Sequence, residues 1–194
     1  MKRIAIFGGG FNPPGAHHRA LIPAMLANFD VVLVVPSGDG RPDKPGIGSA
    51  PAQDRLAMVN IDYGGISPRA LIDDTDIRTG TYTRSWDLQE RYARFGEIWH
   101  VIGSDQIENG AEGRSPIHAW YRGQEIWRTF NFAVFRREGH AYRPADLPPH
   151  HEKYDGGKGS STEIRRRIAA GEPITGLVSL GVEAHIRSRG LYRA

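Results

Sequence analysis

The sequence contains no cysteine, which excludes a disulfide framework, a thiolate metal centre and a cysteine nucleophile, and makes the cytoplasm the expected compartment. Long apolar runs are missing as well. In the opening "MKRIAIFGGG" the apolar run is only Ile4 to Phe7, shorter than the core of a signal peptide and far shorter than a membrane span, so neither targeting nor a membrane partner is expected. Net charge is small. Lys and Arg number 25 against 22 Asp and Glu, a formal +3, too little to imply a nucleic-acid surface by itself. It favours a small polyanion only where the positive charges cluster. Apart from an adjacent pair at the N-terminal end, the histidines (His100, His118, His140, His150, His151 and His185) lack the two-plus-one spacing of a metal site and read as surface or core residues. No repeat and no linker interrupts the 194 residues, so residues 1–194 are expected to form one domain. No feature of the sequence sets an oligomeric state.

What is present is an alternation of short apolar runs with segments of helical periodicity. Arg3 to Phe7, "DVVLVVP" (Asp30–Pro36), "RALID" (Arg69–Asp73), "EIWHVIG" (Glu97–Gly103) and "NFAVFRR" (Asn131–Arg137) are near-continuous rather than alternating, the pattern of strands buried on both faces. Between them, His17–Asn28, Ala52–Tyr63, Tyr82–Phe95 and Trp120–Arg128 carry apolar residues at helical spacing. Ser161–Ala170 and Val178–Ser188 close the chain as helices. The fold class is therefore α/β, a Rossmann-like doubly wound parallel sheet with C-terminal helices. The stretch "EGHAYRPADLPPHHEKYDGGKG" after Arg137, rich in Pro, Gly and charge, reads as a surface loop.

Two stretches carry chemistry. "FGGGFNPPGAHH" (Phe7–His18) follows the first strand. Gly8, Gly9 and Gly10 allow a phosphate to approach the backbone, Pro13 and Pro14 forbid further strand pairing, and a helix starting near Ala16 aims free N–H groups at an anion. The dinucleotide fingerprint fails here, because Pro13 or Asn12 stands where its glycines belong, and a P-loop fails around Lys158, which is followed by Gly159. "GSSTEIRRRI" (Gly159–Ile168) contains a capping box, Ser160 with Glu163. Hydroxyls at Ser160, Ser161 and Thr162 followed by Arg165, Arg166 and Arg167 also concentrate anion donors at a helix start, where uncompensated cations are unfavourable. "DDTD" (Asp73–Asp76) reads as a solvated strand end, and Trp86, Trp99 and Trp127 as core.

Together, "GGGFNPPGAHH" and "SSTEIR" resemble the nucleotidyltransferase superfamily whose signatures are G-G-x-F-[DN]-P-x-H-x-G-H after the first strand and I-S-S-T-x-[IL]-R near the C-terminus. Within it the sequence is similar to the nicotinate or nicotinamide mononucleotide adenylyltransferases. "VVPSGDGRPDKPG" resembles the P-S-x-x-P-P-H-K loop, "DRLAMV" the R-L-x-M helix and "TGTYTRSWDLQE" the S-Y-T-x-x-T-L segment. "VIGSDQIEN" resembles I-G-x-D, "HAWYRGQEI" resembles W-x-x-x-x-E-I, and "GLVSLGVEAHIRSRGLYR" resembles the closing segment. The resemblance implies transfer of the adenylyl group of ATP to a pyridine mononucleotide, with Mg2+ arriving with ATP and with small molecules, not nucleic acid or membrane, as partners. It implies that Gly8, Gly9, Gly10, Phe11, His18, Gly103, Asp105, Ser160, Ser161, Thr162 and Arg165 bind ATP. His18, His17, Lys44 and Arg165 act in catalysis, and Asn12, Ser37, Lys44, Tyr82, Thr83 and Trp120 meet the mononucleotide.

The pattern is broken where the family has H-x-G-H, because this chain has Gly15, Ala16, His17, His18. Neighbours on a helix point about 100° apart, so the expectation is that His17 does not simply replace an imidazole from position 15, and that a histidine returned to 15 is tolerated. "GAEGRSPIH" before Trp120 is longer than the family's usual spacing. Two alternatives stay open: an adenylyl- or cytidylyltransferase for another phosphorylated acceptor, and a catalytically weak nucleotide-binding regulator.

Overall fold

A computed structural model describes residues 1–38, 50–140 and 142–193. Six parallel strands, β1 (Arg3–Gly9), β2 (Val31–Pro36), β3 (Ala70–Ile72), β4 (Glu97–Gly103), β5 (Asn131–Phe135) and β6 (His151–Tyr154), lie in the order β3-β2-β1-β4-β5-β6. The register runs Ile4 to Val31 between β1 and β2, and Arg3 to Glu97 between β1 and β4. Because successive side chains of a strand point to opposite faces, Ala5, Phe7, Val32, Val34, Val101 and Phe135 enter one apolar layer. Ile4, Ile6, Leu33, Val35 and Ile98 enter another on the far face. Both faces must then be covered, which is why the strands read as continuous apolar runs.

The covering helices are α1 (Ala16–Arg19), α2 (Ile22–Asn28), α3 (Ala52–Tyr63), α4 (Thr75–Thr79), α5 (Ser85–Tyr92), α6 (Gly123–Thr129), α7 (Ser161–Ala169) and α8 (Leu180–Arg189). Four departures from the sequence reading have physical causes. The expected helix at 17–28 is broken in two, since Pro23 cannot donate to an earlier turn and sits instead in the first turn of α2. The helix expected from Tyr82 begins at Ser85, and α4, ended by Gly80 at φ 66°, precedes it. The helix expected from Trp120 begins at Gly123, after a 3-10 turn at Pro116–Ala119. The segment read as a surface loop contains β6, whose polar "HEKY" hides an edge strand: charge is what edge strands carry. Tyr154 stacks on Phe135 with ring centres 5.0 Å apart, and Glu152 accepts from Arg3 at 2.7 Å.

Strand order reverses between β1 and β4, and the crevice at the carboxyl ends of these two strands is where open α/β sheets bind ligands. α7 and α8 are held over that edge by Met58 of α3 packing with Ile164, Val182 and Ile186. Buried Asp54 reinforces the contact by accepting from His185 Nε2 and from Arg189 Nε, each at 3.0 Å.

Away from the crevice, His100 on β4 is buried, stacked on Phe130 at 4.8 Å and 3.0 Å from Gln89 Oε1. Burial lowers its pKa to about 3, so the folded chain holds it neutral while the unfolded chain takes up a proton near pH 6.5. The unfolded state therefore binds more protons below that pH, and this contribution to stability falls as pH drops from about 6.5 toward 3. Replacing His100→Leu should flatten the decline of the urea midpoint between pH 7 and pH 5. Parallel declines in the two proteins would show that His100 titrates normally in the fold.

Candidate functional site

The loop leaving β1 is built to be approached from above. A β-carbon placed on Gly8 or Gly10 would meet nothing within 4 Å, so the space over both is open. Phe11, at φ 46°, turns its ring down into the core, edge-on to Phe7 at 5.2 Å and to Tyr63 at 5.8 Å. That ring also floors His18, whose centre lies 5.3 Å away. The Gly15 N–H donates to His18 Nδ1 at 3.2 Å, leaving the proton of the neutral ring on Nε2. The rings of His17 and His18 lie 4.0 Å apart, close together despite the wide angle expected for helical neighbours.

The helix start is narrower than expected. α1 is a single turn, and its Ala16 N–H, one of the donors expected to face an anion, is taken by the Leu177 carbonyl at 2.8 Å.

The second motif comes to the first. Ser161 Oγ donates to the Pro13 carbonyl at 2.8 Å, and Arg165 donates to the Asn12 carbonyl at 2.7 Å and to Thr162 Oγ1 at 3.2 Å. Residues 148 and 153 positions apart in the chain thus share one rim. Only half of the expected capping box forms: Ser160 Oγ accepts from the Glu163 N–H, while the Glu163 carboxylate turns to Arg166 and Arg167. That pairing holds the Glu163 carboxyl at about 2. It also diverts Arg166 and Arg167 from the rim, because they serve Glu163 and, for Arg166, Glu172. Arg165 alone of the three faces the loop.

Across the switch point, Gly103 ends β4, and a β-carbon there would collide with Asp105 Oδ1, so glycine lets the carboxylate fold back over the strand end. Asp105 accepts from Gln106 at 2.7 Å and from Arg137 at 3.1 Å. Arg137, just beyond β5, is a site residue that the sequence did not signal. Its charge adds to burial in lowering the pKa of His17 to about 4. Burial first, then His17 and Arg137, hold His18 well below the usual imidazole range. Both rings are neutral near pH 7.

On the β2 side, the Ser37 N–H donates to the Gly9 carbonyl, tying this loop to the first. Buried Arg55 donates to the carbonyls of Gly10 at 2.9 Å, Ser37 at 2.6 Å and Ala50 at 3.3 Å. Asn12 Oδ1 accepts from the Ala50 N–H at 3.1 Å and from Tyr192 Oη at 2.7 Å. Lys44 lies outside the described residues. Thr83 donates through Oγ1 to Asp76 at 2.5 Å and through its N–H at 2.7 Å. Asp76 is 2 % exposed, and Asp73 accepts from Tyr92 and Arg91. "DDTD" is thus an anchor for the loop carrying Tyr82 and not a solvated strand end. Tyr82 and Trp120 are half-buried, Trp120 against the cluster that holds Ile107 and Ile117.

A glycine loop, a pair of histidines and Arg165 at a helix start are gathered at the switch point of a parallel sheet, an arrangement of donors whose chemistry suits a phosphorylated ligand. The sequence matches the cytidylyltransferase-like family over residues 6–167. The probable nicotinate-nucleotide adenylyltransferase of Bordetella avium strain 197N is 30% identical, covering 100% of this chain and 99% of its own. The protein of the same name from Acidothermus cellulolyticus is 32% identical over 98% and 94%. The solved structure of Plasmodium falciparum nicotinic acid mononucleotide adenylyltransferase complexed with NaAD superposes with a TM-score of 0.80 at 19% identity, over 99% of this chain and 98% of that one. The chain belongs to the cytidylyltransferase-like family.

Arg55→Leu should strip donors from three carbonyls that hold both loops, lowering unfolding free energy by about 2–4 kcal/mol. A urea titration showing less than about 0.5 kcal/mol would mean the loops are held by other contacts.

Proposed function

We propose that this chain transfers the adenylyl group of ATP to nicotinate mononucleotide, releasing pyrophosphate. One observation carries the reading: Arg165 and Ser161 of the second motif are bonded to the backbone of Asn12 and Pro13 in the first, over the ends of β1 and β4. The names of the relatives support nicotinate as the acceptor's base.

In this reaction a phosphate oxygen of the mononucleotide attacks the α-phosphorus of ATP, one P–O bond forms, and the bond from the α-phosphorus to the β-bridging oxygen breaks. No protein atom becomes covalently attached, so positioning and charge neutralisation carry the rate. His18 donates its Nε2 proton in a hydrogen bond to an α-phosphate oxygen. The backbone of Gly8, Gly9, Gly10 and Phe11 lets the nucleotide approach closely, and Ser160, Ser161, Thr162 and Arg165 hold the β- and γ-phosphates. Asp105, aligned by Arg137 and given room by Gly103, takes the adenosine ribose. Asn12, Ser37, Tyr82 and Trp120 border the acceptor, with Thr83 setting the loop that presents Tyr82 and Lys44 reaching its phosphate. ATP enters as its magnesium complex. Its phosphate oxygens would supply most of the ion's ligands. Among the described residues no helix is long and apolar enough to cross a membrane. The lack of cysteine supports a cytoplasmic place.

Purified protein given each nucleoside triphosphate with nicotinate or nicotinamide mononucleotide should release pyrophosphate fastest with ATP and the nicotinate compound, yielding a dinucleotide by mass. Turnover only with CTP, or with neither acceptor, would overturn the reading. His18→Ala should lower kcat by about 100-fold or more with little change in melting temperature. Unchanged kcat would remove His18 from the chemistry.

A further inference from the structure

Gly15 raises a question that backbone geometry does not answer. Its φ of −126° and ψ of 171° are extended values that any residue adopts, so conformation does not call for glycine here. Room does. A β-carbon at position 15 would lie 2.6 Å from both Cε1 and Nδ1 of the His17 ring and 2.9 Å from Ile164 Cδ1, far inside van der Waals contact. The side chain of His17 therefore fills the volume that a side chain at 15 would enter. The 100° step between helical neighbours does not separate positions 15 and 17, because Gly15 is the extended residue before α1 and the His17 ring reaches back over it.

The rest of the His17 environment points the same way. Its ring lies beside that of His18, and a β-carbon on Gly159, the residue before the Ser160 cap, would be 3.7 Å from His17 Nδ1. Gly157 passes so close to the His17 backbone that a β-carbon would sit 2.5 Å from its carbonyl oxygen. The imidazole is thus wedged at the seam of the two motifs, half-buried. Neither of its ring nitrogens has a hydrogen-bond partner among the described residues. Arg137, close enough to act on both rings electrostatically, shows that the seam already accommodates positive charge.

We propose that His17 is a direct ligand of the ATP phosphates, acting beside His18, and that glycine and histidine have exchanged places between positions 15 and 17 so that one imidazole occupies the same space from a different backbone position. This rests on the reading of the crevice as an ATP site. The ring is neutral in the free protein and needs no net charge to serve, since a neutral imidazole keeps one N–H donor for a phosphate oxygen.

A double-substitution cycle tests it, with His17→Gly, Gly15→His and the two combined compared with wild type for kcat, for ATP dissociation constant by calorimetry, and for melting temperature. Each single change should cost roughly ten- to a hundred-fold in kcat/KM, the first by removing the imidazole and the second by displacing it. The combined protein should recover at least about tenfold over either single change, because the vacated space readmits a ring from position 15. A combined protein no better than the poorer single variant, with a melting temperature near wild type, overturns the exchange. If it melts more than about 10 °C lower, His17→Ala decides, since removing a half-buried ring leaves the backbone in place; wild-type kcat and ATP affinity there overturn the proposal. Should wild type turn over no acceptor, the transferase reading fails by itself. The ATP dissociation constants of the four proteins then decide: weaker binding in the singles and recovery in the combination support His17, and equal constants overturn it.

Discussion

The structure depends on a stitch between two distant parts of the chain. Arg165 and Ser161 donate to the carbonyls of Asn12 and Pro13, and Tyr192 Oη donates to Asn12 Oδ1. The loop after β1 holds Pro13 and Pro14 and cannot satisfy its carbonyls by strand pairing, so an unpaired buried acceptor there would cost about 1–3 kcal/mol. Donors arriving from α7 and the chain's last residues remove that cost. The same contacts set the rim of the crevice at a fixed spacing, so stabilising the loop and shaping the site are one event. Arg55 does the corresponding work from below, joining the carbonyls of Gly10 and Ser37.

Electrostatics in the crevice follow from that assembly. The chain is almost balanced in charge, yet Arg137 and Arg165 are brought to the crevice while Arg166 and Arg167 are drawn off by Glu163 and Glu172. Those exposed ion pairs contribute little to stability. Their effect is selective, because they leave one arginine of three turned toward the loop. Burial and Arg137 keep His17 and His18 neutral, so the site presents N–H donors without the repulsion that four neighbouring cations would create. An incoming polyanion meets a positive but unsaturated field.

The parallel sheet was legible because strands buried on both faces need unbroken apolar runs, as in "DVVLVVP" and "EIWHVIG", and because β1, β2 and β4 have little polar disguise. β6 escaped because an edge strand carries charge, and its "HEKY" follows two prolines. Helix starts were misplaced where local chemistry overrode periodicity, at Pro23 and in the loop that Asp76 anchors through Thr83. The meeting of the two motifs was legible only through the family resemblance that their residues carry, and the bonds from Ser161 and Arg165 to the first loop agree with it. Arg137 and Arg55 were not, since each acts through tertiary contacts that no local pattern marks. The position of the His17 ring was misjudged for a clearer reason: position 15 was treated as helical, whereas Gly15 is the extended residue before α1 and the His17 ring reaches back to it.

The central claim, that both motifs grip one triphosphate, is tested most directly by a crystal structure with a non-hydrolysable ATP analogue. The account predicts β- and γ-phosphate oxygens about 2.7–3.2 Å from donors in Ser160 to Arg165, with the α-phosphate against His18 Nε2 in the same molecule. A nucleotide whose phosphates touch only one of the two motifs, or lie away from the β1 and β4 ends, would contradict it.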